Sequence, residues 1–163
     1  TIVRITADCP LIDPQIVDKV IEKFFSGNYD FATNTLMRTF PIGTDVEVFS
    51  FSALNRAWEN TQLPSEREHV TPYLRKEENF KIINVENDKN ISNLRLTVDR
   101  IEDFELIKQI LNNISINPIH LEDVLELFSR KPELIEINKH INHNEGFNKS
   151  LEEDKEFIKK QKR

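Results

Sequence analysis

The sequence has very few cysteines and glycines and no long apolar run, and each scarcity excludes a class of site. A single cysteine, Cys9, allows neither an internal disulfide nor a zinc cluster built on cysteines. The three glycines, Gly27, Gly43 and Gly146, form neither common glycine-rich phosphate loop. No apolar stretch approaches the roughly 20 residues that cross a bilayer, and no signal peptide is recognisable. We therefore expect a cytoplasmic protein without a membrane span.

The composition is that of a globular domain with an acidic balance. Its 163 residues are 38% hydrophobic and 31% charged, which suits one domain with a sizeable core. A formal net charge of −6 argues against non-specific binding to nucleic acid or anionic membranes. A nucleotide ligand remains compatible, because a divalent cation can carry the attraction. The chain starts at Thr1 with a core-like strand, which predicts that an N-terminal part is missing.

Hydrophobic periodicity predicts strands that alternate with helices. Alternating β-branched runs predict strands at 2–7, 29–34, 44–51, 80–87 and 93–98. Helical spacing predicts helices at 13–25, 52–61, 64–78, 99–114 and, as one or two pieces, 120–138. We expect Pro72 to interrupt the third of these helices. The pattern indicates an α/β protein whose sheet is covered by helices on both faces.

Two aspartates directly follow predicted strands. Asp8 ends the first strand, in TADCPLIDP, and Asp99 ends NLRLTV. Because ligands bind at the carboxyl ends of strands in such sheets, these carboxylates are candidate Mg²⁺ ligands. The alternatives are structural: Asp8 can be a turn residue, and Asp99 can cap the next helix with Glu102 three residues on.

Other polar residues are candidates for substrate contacts. Asp45 and Glu47 lie two apart on a predicted strand, so both project from one face, which is either a hydroxyl-binding surface or a solvent surface. Arginines suited to bidentate contacts with phosphate or carboxylate are Arg38, Arg67 and Arg95. In SEREH, Glu68 fits a capping box and His69 is a catalytic candidate or a hydrogen-bonded structural residue. Cys9, before a proline, is typical of a buried small residue.

Five blocks carry a resemblance to a known family. They are VRITADCPLIDP, NTLMRTFPIGTDVEVFSFSAL, EREHVTPYLR, LRLTVDRIEDFELI and INHNEGFNKSL, in that order. Together they resemble the cytidylyltransferases that include spore-coat polysaccharide biosynthesis protein F and relatives of the acylneuraminate and 3-deoxy-manno-octulosonate enzymes. The resemblance implies a nucleotide-diphospho-sugar transferase fold with a mixed sheet. It also implies CMP transfer from CTP to a sugar or sugar acid, with Mg²⁺ required.

The resemblance also assigns roles to residues. It implies that Asp8 and Asp99 hold the metal, and that the sugar side is lined by Arg38, Asp45, Glu47, Arg67, Glu68 and His69. Residues 1–148 would form the C-terminal two-thirds of such a domain, and residues 149–163 a charged tail that is either a solvated helix or frayed. The family's N-terminal basic loop, which cradles the nucleotide, has no counterpart here. We therefore expect weak or no turnover from this chain alone.

The sequence is also compatible with two other functions, and the family resemblance implies an oligomeric state. The same fold could serve as a non-catalytic sugar-binding or protein-binding module, or as a related glycosyltransferase with a similar acidic metal site. Members of the family commonly pair, so we expect a homodimer with the arm TFPIGTDVEVF, residues 39–49, as a candidate contact.

Overall fold

A mixed sheet organises the chain, as the sequence predicts. The structure, a computed structural model, describes residues 1–76, 78–141 and 145–161. Within these residues the strands are β1 (Ile2–Arg4), β2 (Phe31–Thr33), β3 (Glu47–Phe49) and β4 (Ile82–Asn84). Their order is β1-β3-β2-β4, with β3 antiparallel to both neighbours and β2 parallel to β4. Residues 142–144 of the block INHNEGFNKSL and residues 162–163 of the predicted tail lie outside the described residues.

Helices connect the strands and follow the last of them. They are α1 (Pro14–Phe25), α2 (Phe51–Asn60), α3 (Pro64–Glu68), α4 (Ile101–Asn113), α5 (Leu121–Arg130) and α6 (Glu145–Gln161). Short 3₁₀ helices cover Pro72–Arg75 and Pro132–Ile137. The predicted start of α1 is confirmed, because Asp13 accepts a 2.8 Å hydrogen bond from the Gln15 N–H and Pro14 takes the first helical position. None of the described helices is both long and apolar enough to cross a membrane.

Helices cover both faces of the sheet, which confirms the predicted α/β architecture. Ala32 and Val48 belong to a core cluster with residues of α1, α4 and α5. Their strand neighbours Phe31 and Phe49 belong to a second cluster, with Ala53 and Ala57 of α2, Leu74 and Phe80. This division follows from the two-residue period of a strand, which sends successive side chains to opposite faces. Burial of each phenylalanine contributes about 1.5–3 kcal/mol.

The segment predicted as the strand NLRLTV forms no extended ladder. Its pairing is a single parallel bridge between Ile42 and Arg95. The Ile42 carbonyl accepts the Leu96 N–H at 2.6 Å. Two neighbours of Ile42 explain why pairing stops there: Pro41 has no N–H to donate, and Gly43 leaves the extended region at φ +92°. The prediction of a strand here was wrong, although the segment still runs along the same edge of the core.

Helical spacing in residues 99–114 predicts a buried face of Ile101, Phe104, Ile107, Ile110 and Leu111, and the buried face of α4 differs from it. Ile107 and Ile110 are buried as expected, but three residues assigned to the same face are 70%, 51% and 54% exposed: Ile101, Phe104 and Leu111. The inward face is completed by Leu106 and by Asp103, which pairs with the buried Arg95. That ion pair fixes the rotation of the helix, so the apolar spacing alone gives the wrong orientation.

Residues 64–78 are not one helix. Pro72 starts a separate 3₁₀ helix after α3 has ended at Glu68, so the predicted interruption is confirmed. The predicted boundary between residues 148 and 149 falls inside α6. Ser150 and Asp154 of that helix are buried, and Asp154 accepts a hydrogen bond from the backbone of Ser65 in α3. Of the two forms expected for the tail, the solvated helix is the one observed, since most of its described side chains from residue 152 on are exposed, but α6 also packs on α3 through Asp154.

Candidate functional site

A cavity of about 610 Å³ opens beside the middle strands of the sheet. Its lining combines cationic and anionic side chains with hydroxyl groups of threonine and serine. The charged or titratable ones are Arg4, Arg38, Asp45, Glu47, His69 and Arg75. Four of the predicted substrate-binding residues, Arg38, Asp45, Glu47 and His69, are therefore brought together in this cavity. Its volume is in the range usual for sites that bind small molecules.

Glu47 is the most tightly held of the lining residues. It is only 3% exposed, and its carboxylate accepts hydrogen bonds from Arg4 at 2.7 Å and from Arg75 at 2.8 Å. The hydroxyl of Thr71 donates a third, at 2.8 Å. The register of β1 and β3 places Arg4 opposite Glu47. The solvent-face interpretation of Glu47 was wrong, because the carboxylate fixes the guanidinium groups of the cavity.

Arg38 and Asp45 form a second ion pair in the lining. Two guanidinium nitrogens donate to the two carboxylate oxygens at 2.6 and 2.7 Å. Both side chains are partly exposed, at 26% and 32%. Parallel bidentate contacts of this kind are short and directional. The pair therefore presents a fixed, half-exposed polar surface to a ligand.

The charge of the lining favours an anionic ligand group. The three arginines exceed the two carboxylates by one positive charge. Arg4 and Arg75 keep part of their surface exposed beside the buried Glu47. Guanidinium groups recognise carboxylate and phosphate oxygens through planar paired donors. Although the protein carries a net negative charge, this cavity is suited to a substrate that bears a carboxylate or phosphate.

A strained turn brings His69 and Thr71 to the cavity together. Between them, Val70 has φ 68°, which is rare for a β-branched residue. The N–H of Thr71 donates to the carbonyl of His69 at 2.7 Å, closing a γ-turn around Val70. Such a backbone conformation costs about 1–3 kcal/mol. The hydrogen bond from Thr71 to Glu47 and the packing of α6 behind α3 offset that cost.

Two predicted substrate-binding residues lie outside the lining. The guanidinium of Arg67 stacks over the Trp58 ring at 4.3 Å and donates to the Thr61 carbonyl at 3.2 Å. Glu68 accepts a hydrogen bond from Ser150 of α6 at 3.2 Å. The capping-box role proposed for Glu68 belongs to Glu66 instead, whose carboxylate accepts the N–H groups of residues 62 and 63. Arg67 and Glu68 thus support the wall that carries His69.

Asp8 and Asp99 lie on neighbouring backbone segments. The carbonyl of Asp8 accepts the N–H of Val98 at 2.9 Å. The hydroxyl of Thr97 donates to the same carbonyl at 3.0 Å and to Oδ2 of Asp8 at 3.2 Å. Because Asp99 directly follows Val98, the two aspartates lie on adjacent backbone segments at one edge of the core. Thr6, two residues before Asp8, lines the cavity.

Asp99 is oriented by a buried ion pair and does not cap α4. Arg95 donates to Asp103 through two nitrogens, both at 2.8 Å, and to Oδ2 of Asp99 at 2.7 Å. The N–H groups of Asp99 and Arg100 are taken by Asp103, so the predicted capping role of Asp99 was wrong. Burial opposes ionisation of Asp103, but hydrogen bonds from Arg95 and Asn138 hold the pKa of that carboxyl below its usual value. The Asp99 side chain stays 51% exposed.

The donor set at this edge fits a cation that takes few protein ligands. Among residues 1–76, 78–141 and 145–161, no group of three or more His, Cys, Asp or Glu side chains converges on one point. Mg²⁺ is usually held by one or two carboxylates, with phosphate oxygens and water completing the shell. Asp8 and Asp99 match that requirement when a nucleotide supplies the phosphate.

Cys9 takes no part as a nucleophile. It is buried, and burial raises the pKa of its thiol to about 11. The thiol is therefore protonated at neutral pH, and a thiol is a far weaker nucleophile than a thiolate. This agrees with its interpretation as a buried small residue.

The three lining residues that contact Glu47 were not predicted from the sequence. Thr71 and Arg75 belong to the block EREHVTPYLR, in which only the charged residues at its start were predicted to contact substrate. Both bind Glu47 in the structure. Arg4 lies in a predicted core strand, and a charge there is itself a signal. Its partner, however, is 43 positions away, on a strand whose position in the sheet the sequence does not reveal.

Comparisons with known proteins agree with this fold. The profile of the family described as Cytidylyltransferase matches residues 1–159. A structure of a cytidylyltransferase from Leptospira borgpetersenii superposes with a TM-score of 0.80 at 37% identity, covering 86% of this chain and 60% of that one. Uncharacterized protein MJ1063 of Methanocaldococcus jannaschii is 32% identical over 143 residues, which are 86% of this chain and 58% of that protein.

A more distant relative has a descriptive name. Spore coat polysaccharide biosynthesis protein SpsF of Bacillus subtilis is 27% identical over 137 residues, 81% of this chain and 56% of that protein. The chain thus spans less than two thirds of the length of each of these relatives. Since the family profile extends over nearly all of its residues, the chain belongs to the cytidylyltransferase family.

Proposed function

We propose that this protein takes part in the transfer of CMP from CTP to a sugar or sugar acid, with release of pyrophosphate. The observation that supports the proposal is the bond from Val98 to the Asp8 carbonyl, which places Asp8 and Asp99 on adjacent backbone segments. Two carboxylates at one edge, next to a cavity rich in arginine, suit a metal-bound nucleotide beside an anionic acceptor.

Each part of the site has a separate task in this proposal. Asp8 and Asp99 would hold Mg²⁺, which when bound offsets the negative charge that develops toward the pyrophosphate leaving group. The cavity with Glu47 at its centre would bind the acceptor. The guanidinium groups of Arg4 and Arg75 would orient an anionic group of the acceptor, and carboxylates such as Asp45 would accept hydrogen bonds from its hydroxyls. Positioning supplies much of the rate in such transfers.

The biological setting is part of the proposal. The name of the Bacillus subtilis relative supports a role in the biosynthesis of a surface polysaccharide. We place the reaction in the cytoplasm, where CTP is made. The homodimer through the arm of residues 39–49 stays a prediction, as does the weak turnover of this chain alone.

Titration calorimetry of CTP with Mg²⁺ tests the proposal on this chain. We expect binding that requires Mg²⁺ and that weakens at least about tenfold in Asp8→Asn and Asp99→Asn, since each loses a charged ligand. Asp18→Asn, an exposed residue of α1, makes the same change of charge away from the site. CTP binding that ignores Mg²⁺, or that all three variants weaken equally, would contradict the metal assignment. Sugar binding without any CTP binding would favour a non-catalytic module.

Pyrophosphate release then distinguishes an active enzyme from a binding protein. We expect release to depend on both CTP and an acceptor, with N-acetylneuraminate and 3-deoxy-manno-octulosonate as first probes. A reaction that consumes a sugar nucleotide instead of forming one would identify a glycosyltransferase. Robust turnover by this chain would refute the expectation of weak or no turnover.

A further inference from the structure

The C-terminal helix α6 is anchored to α3 by a buried carboxylate. Asp154 accepts the backbone N–H of Ser65 at 3.0 Å, and the hydroxyl of Ser65 donates to its second oxygen. Both residues are buried. A bidentate contact of this kind satisfies a donor at the start of α3 and fixes the position of α6 along it. The next inward polar residue of α6, one helical turn earlier, is Ser150.

Ser150 connects Glu68 to His69. It is 5% exposed, its hydroxyl donates to Oε2 of Glu68 at 3.2 Å, and its Oγ lies 2.9 Å from Nε2 of His69. A hydroxyl has only one proton to donate. With the hydroxyl proton directed to the Glu68 carboxylate, which cannot donate, the contact with His69 is completed when Nε2–H donates to the serine oxygen. The arrangement therefore restrains the direction of the imidazole ring and favours the tautomer with its proton on Nε2.

We propose that Ser150 is a positioning residue for His69, which it holds against the wall of the cavity in the Nε2–H form. Its role toward the acceptor rests on the function proposed above, in which His69 contacts the acceptor. The imidazole is attached to a strained turn, since Val70 has φ 68°. Without a side-chain contact at Nε2, the rotation of the ring would be less restricted. The helix α6 thereby completes the site although none of its described residues lines the cavity.

Nuclear magnetic resonance of the imidazole tests the hydrogen bond directly. We expect a resolved Nε2–H proton signal for His69 in the wild type, because a buried serine oxygen slows exchange with water. Ser150→Ala removes the acceptor and should abolish that signal. Lys155→Ala, an exposed change on the same helix, should leave it unchanged. A signal that persists in Ser150→Ala, or that is absent from the wild type, would overturn the proposal.

A second variant separates positioning from the docking of α6. Asp154→Asn weakens the anchor but keeps Ser150, so we expect a lower Tm with the Nε2–H signal retained. Ser150→Ala should lose the signal while the anchor at Ser65 keeps α6 in place. If both variants lose the signal together with the helical structure of α6, then Ser150 acts only through docking and the positioning role is refuted.

Kinetics link the contact to the acceptor. With the two sugar acids as probes, Ser150→Ala should raise the acceptor KM about 3- to 10-fold, the effect of one neutral hydrogen bond, while the KM for CTP stays unchanged. Equal increases in both KM values would contradict the assignment to the acceptor side. If this chain turns over neither probe, which is the expected result for the chain alone, the imidazole signal by itself decides the positioning role, and CTP binding still tests the proposed function.

Discussion

The hydroxyl of Thr97 shares its one proton between the main-chain carbonyl and Oδ2 of Asp8, at 3.0 and 3.2 Å. This contact joins two segments that are 89 positions apart in the sequence. It orients the carboxylate of Asp8 beside the segment that ends in Asp99. Thr97 is buried, so the contact is shielded from solvent. The geometry of the candidate metal site thus depends on a residue that carries no charge.

Thr97→Val is expected to weaken Mg²⁺-dependent CTP binding about tenfold, since it removes a hydrogen bond to a charged group without changing shape. Titration calorimetry measures the affinity. Thr61→Val is a matched control, because Thr61 is also buried and donates to a carboxylate, that of Glu66, at 2.6 Å. Both variants should be somewhat less stable. A control variant that weakens CTP binding as much as Thr97→Val would show that the effect is one of general stability.

Glu47→Gln is expected to lower the free energy of unfolding by about 2 kcal/mol. The change removes the negative charge that pairs with Arg4 and Arg75. A guanidinium group that loses its buried partner is costly, although the partial exposure of both arginines moderates the loss. Urea denaturation measures the difference. Glu105→Gln on α4, where the carboxylate is half exposed and 3.9 Å from Lys108, should change stability by less than about 0.5 kcal/mol. A similar cost for both would mean that Glu47 has no structural role in the cavity.

Contacts within one helical turn could be predicted from the sequence, whereas contacts between residues far apart in the sequence could not. The start of α1 could be predicted because Asp13 and Pro14 act within one turn. Asp8 and Asp99 were expected at neighbouring strand ends, and the bond from Val98 to Asp8 brings their backbone segments together even though the second strand does not form; their joint role as metal ligands stays a prediction. There the backbone follows the expected edge of the core while its pairing partner, a loop with Pro41, cannot sustain a ladder.

The residues that contact Glu47 and His69 could be identified only from the folded structure. Arg4 meets Glu47 only because β1 pairs with β3, an order that the periodicity of the strands does not encode. Ser150 reaches His69 across 81 positions, from a segment whose charge suggested a solvated helix. The buried face of α4 could not be predicted from its apolar spacing either, because the buried Arg95–Asp103 pair fixes the rotation of the helix.

Asp103→Asn should flatten the acid dependence of stability. The pKa of Asp103 is lowered in the folded protein, so its stabilising effect is present above the unfolded value of about 4 and is lost as pH falls through the folded pKa. We expect the wild-type free energy of unfolding to decline below about pH 4 more steeply than that of the variant. At neutral pH the variant should be about 3 kcal/mol less stable, since Arg95 loses its buried partner. Urea denaturation across this range tests both points, and equal slopes would contradict the first.

His120 should give the opposite dependence near neutral pH. Its Nδ1 lies 2.9 Å from Asp13, and that hydrogen bond raises the pKa of the imidazole. The stabilisation is therefore complete below the unfolded value of about 6.5 and is lost as pH rises through the higher folded pKa. His120→Gln should remove this part of the decline in stability between about pH 6 and pH 8. If the wild type and the variant lose stability in parallel over that range, the ion pair with Asp13 contributes nothing.

Gly43→Ala is expected to disrupt the contact between the 39–49 arm and the segment that leads to Asp99. Gly43 has φ +92°, and a Cβ there would collide with the backbone of Leu96 and Thr97. Neither group can move without breaking the bond from Leu96 to Ile42. The strain of a left-handed backbone adds about 1–2 kcal/mol to the cost of the collision.

Gly27→Ala is the matched control for that change. Its new Cβ would meet only the far end of the ring of Tyr29, a half-buried side chain packed against the core, so a small shift of that ring relieves the contact without moving backbone. We expect Gly27→Ala to fold with nearly wild-type stability and CTP affinity. Gly43→Ala should lose several degrees of Tm and bind CTP with Mg²⁺ more weakly, because Thr97 and Asp99 shift together. Thermal unfolding measures the Tm of the two variants, and titration calorimetry measures their affinity for CTP. Equal Tm values and equal affinities would show that the close approach at Gly43 does not shape the site.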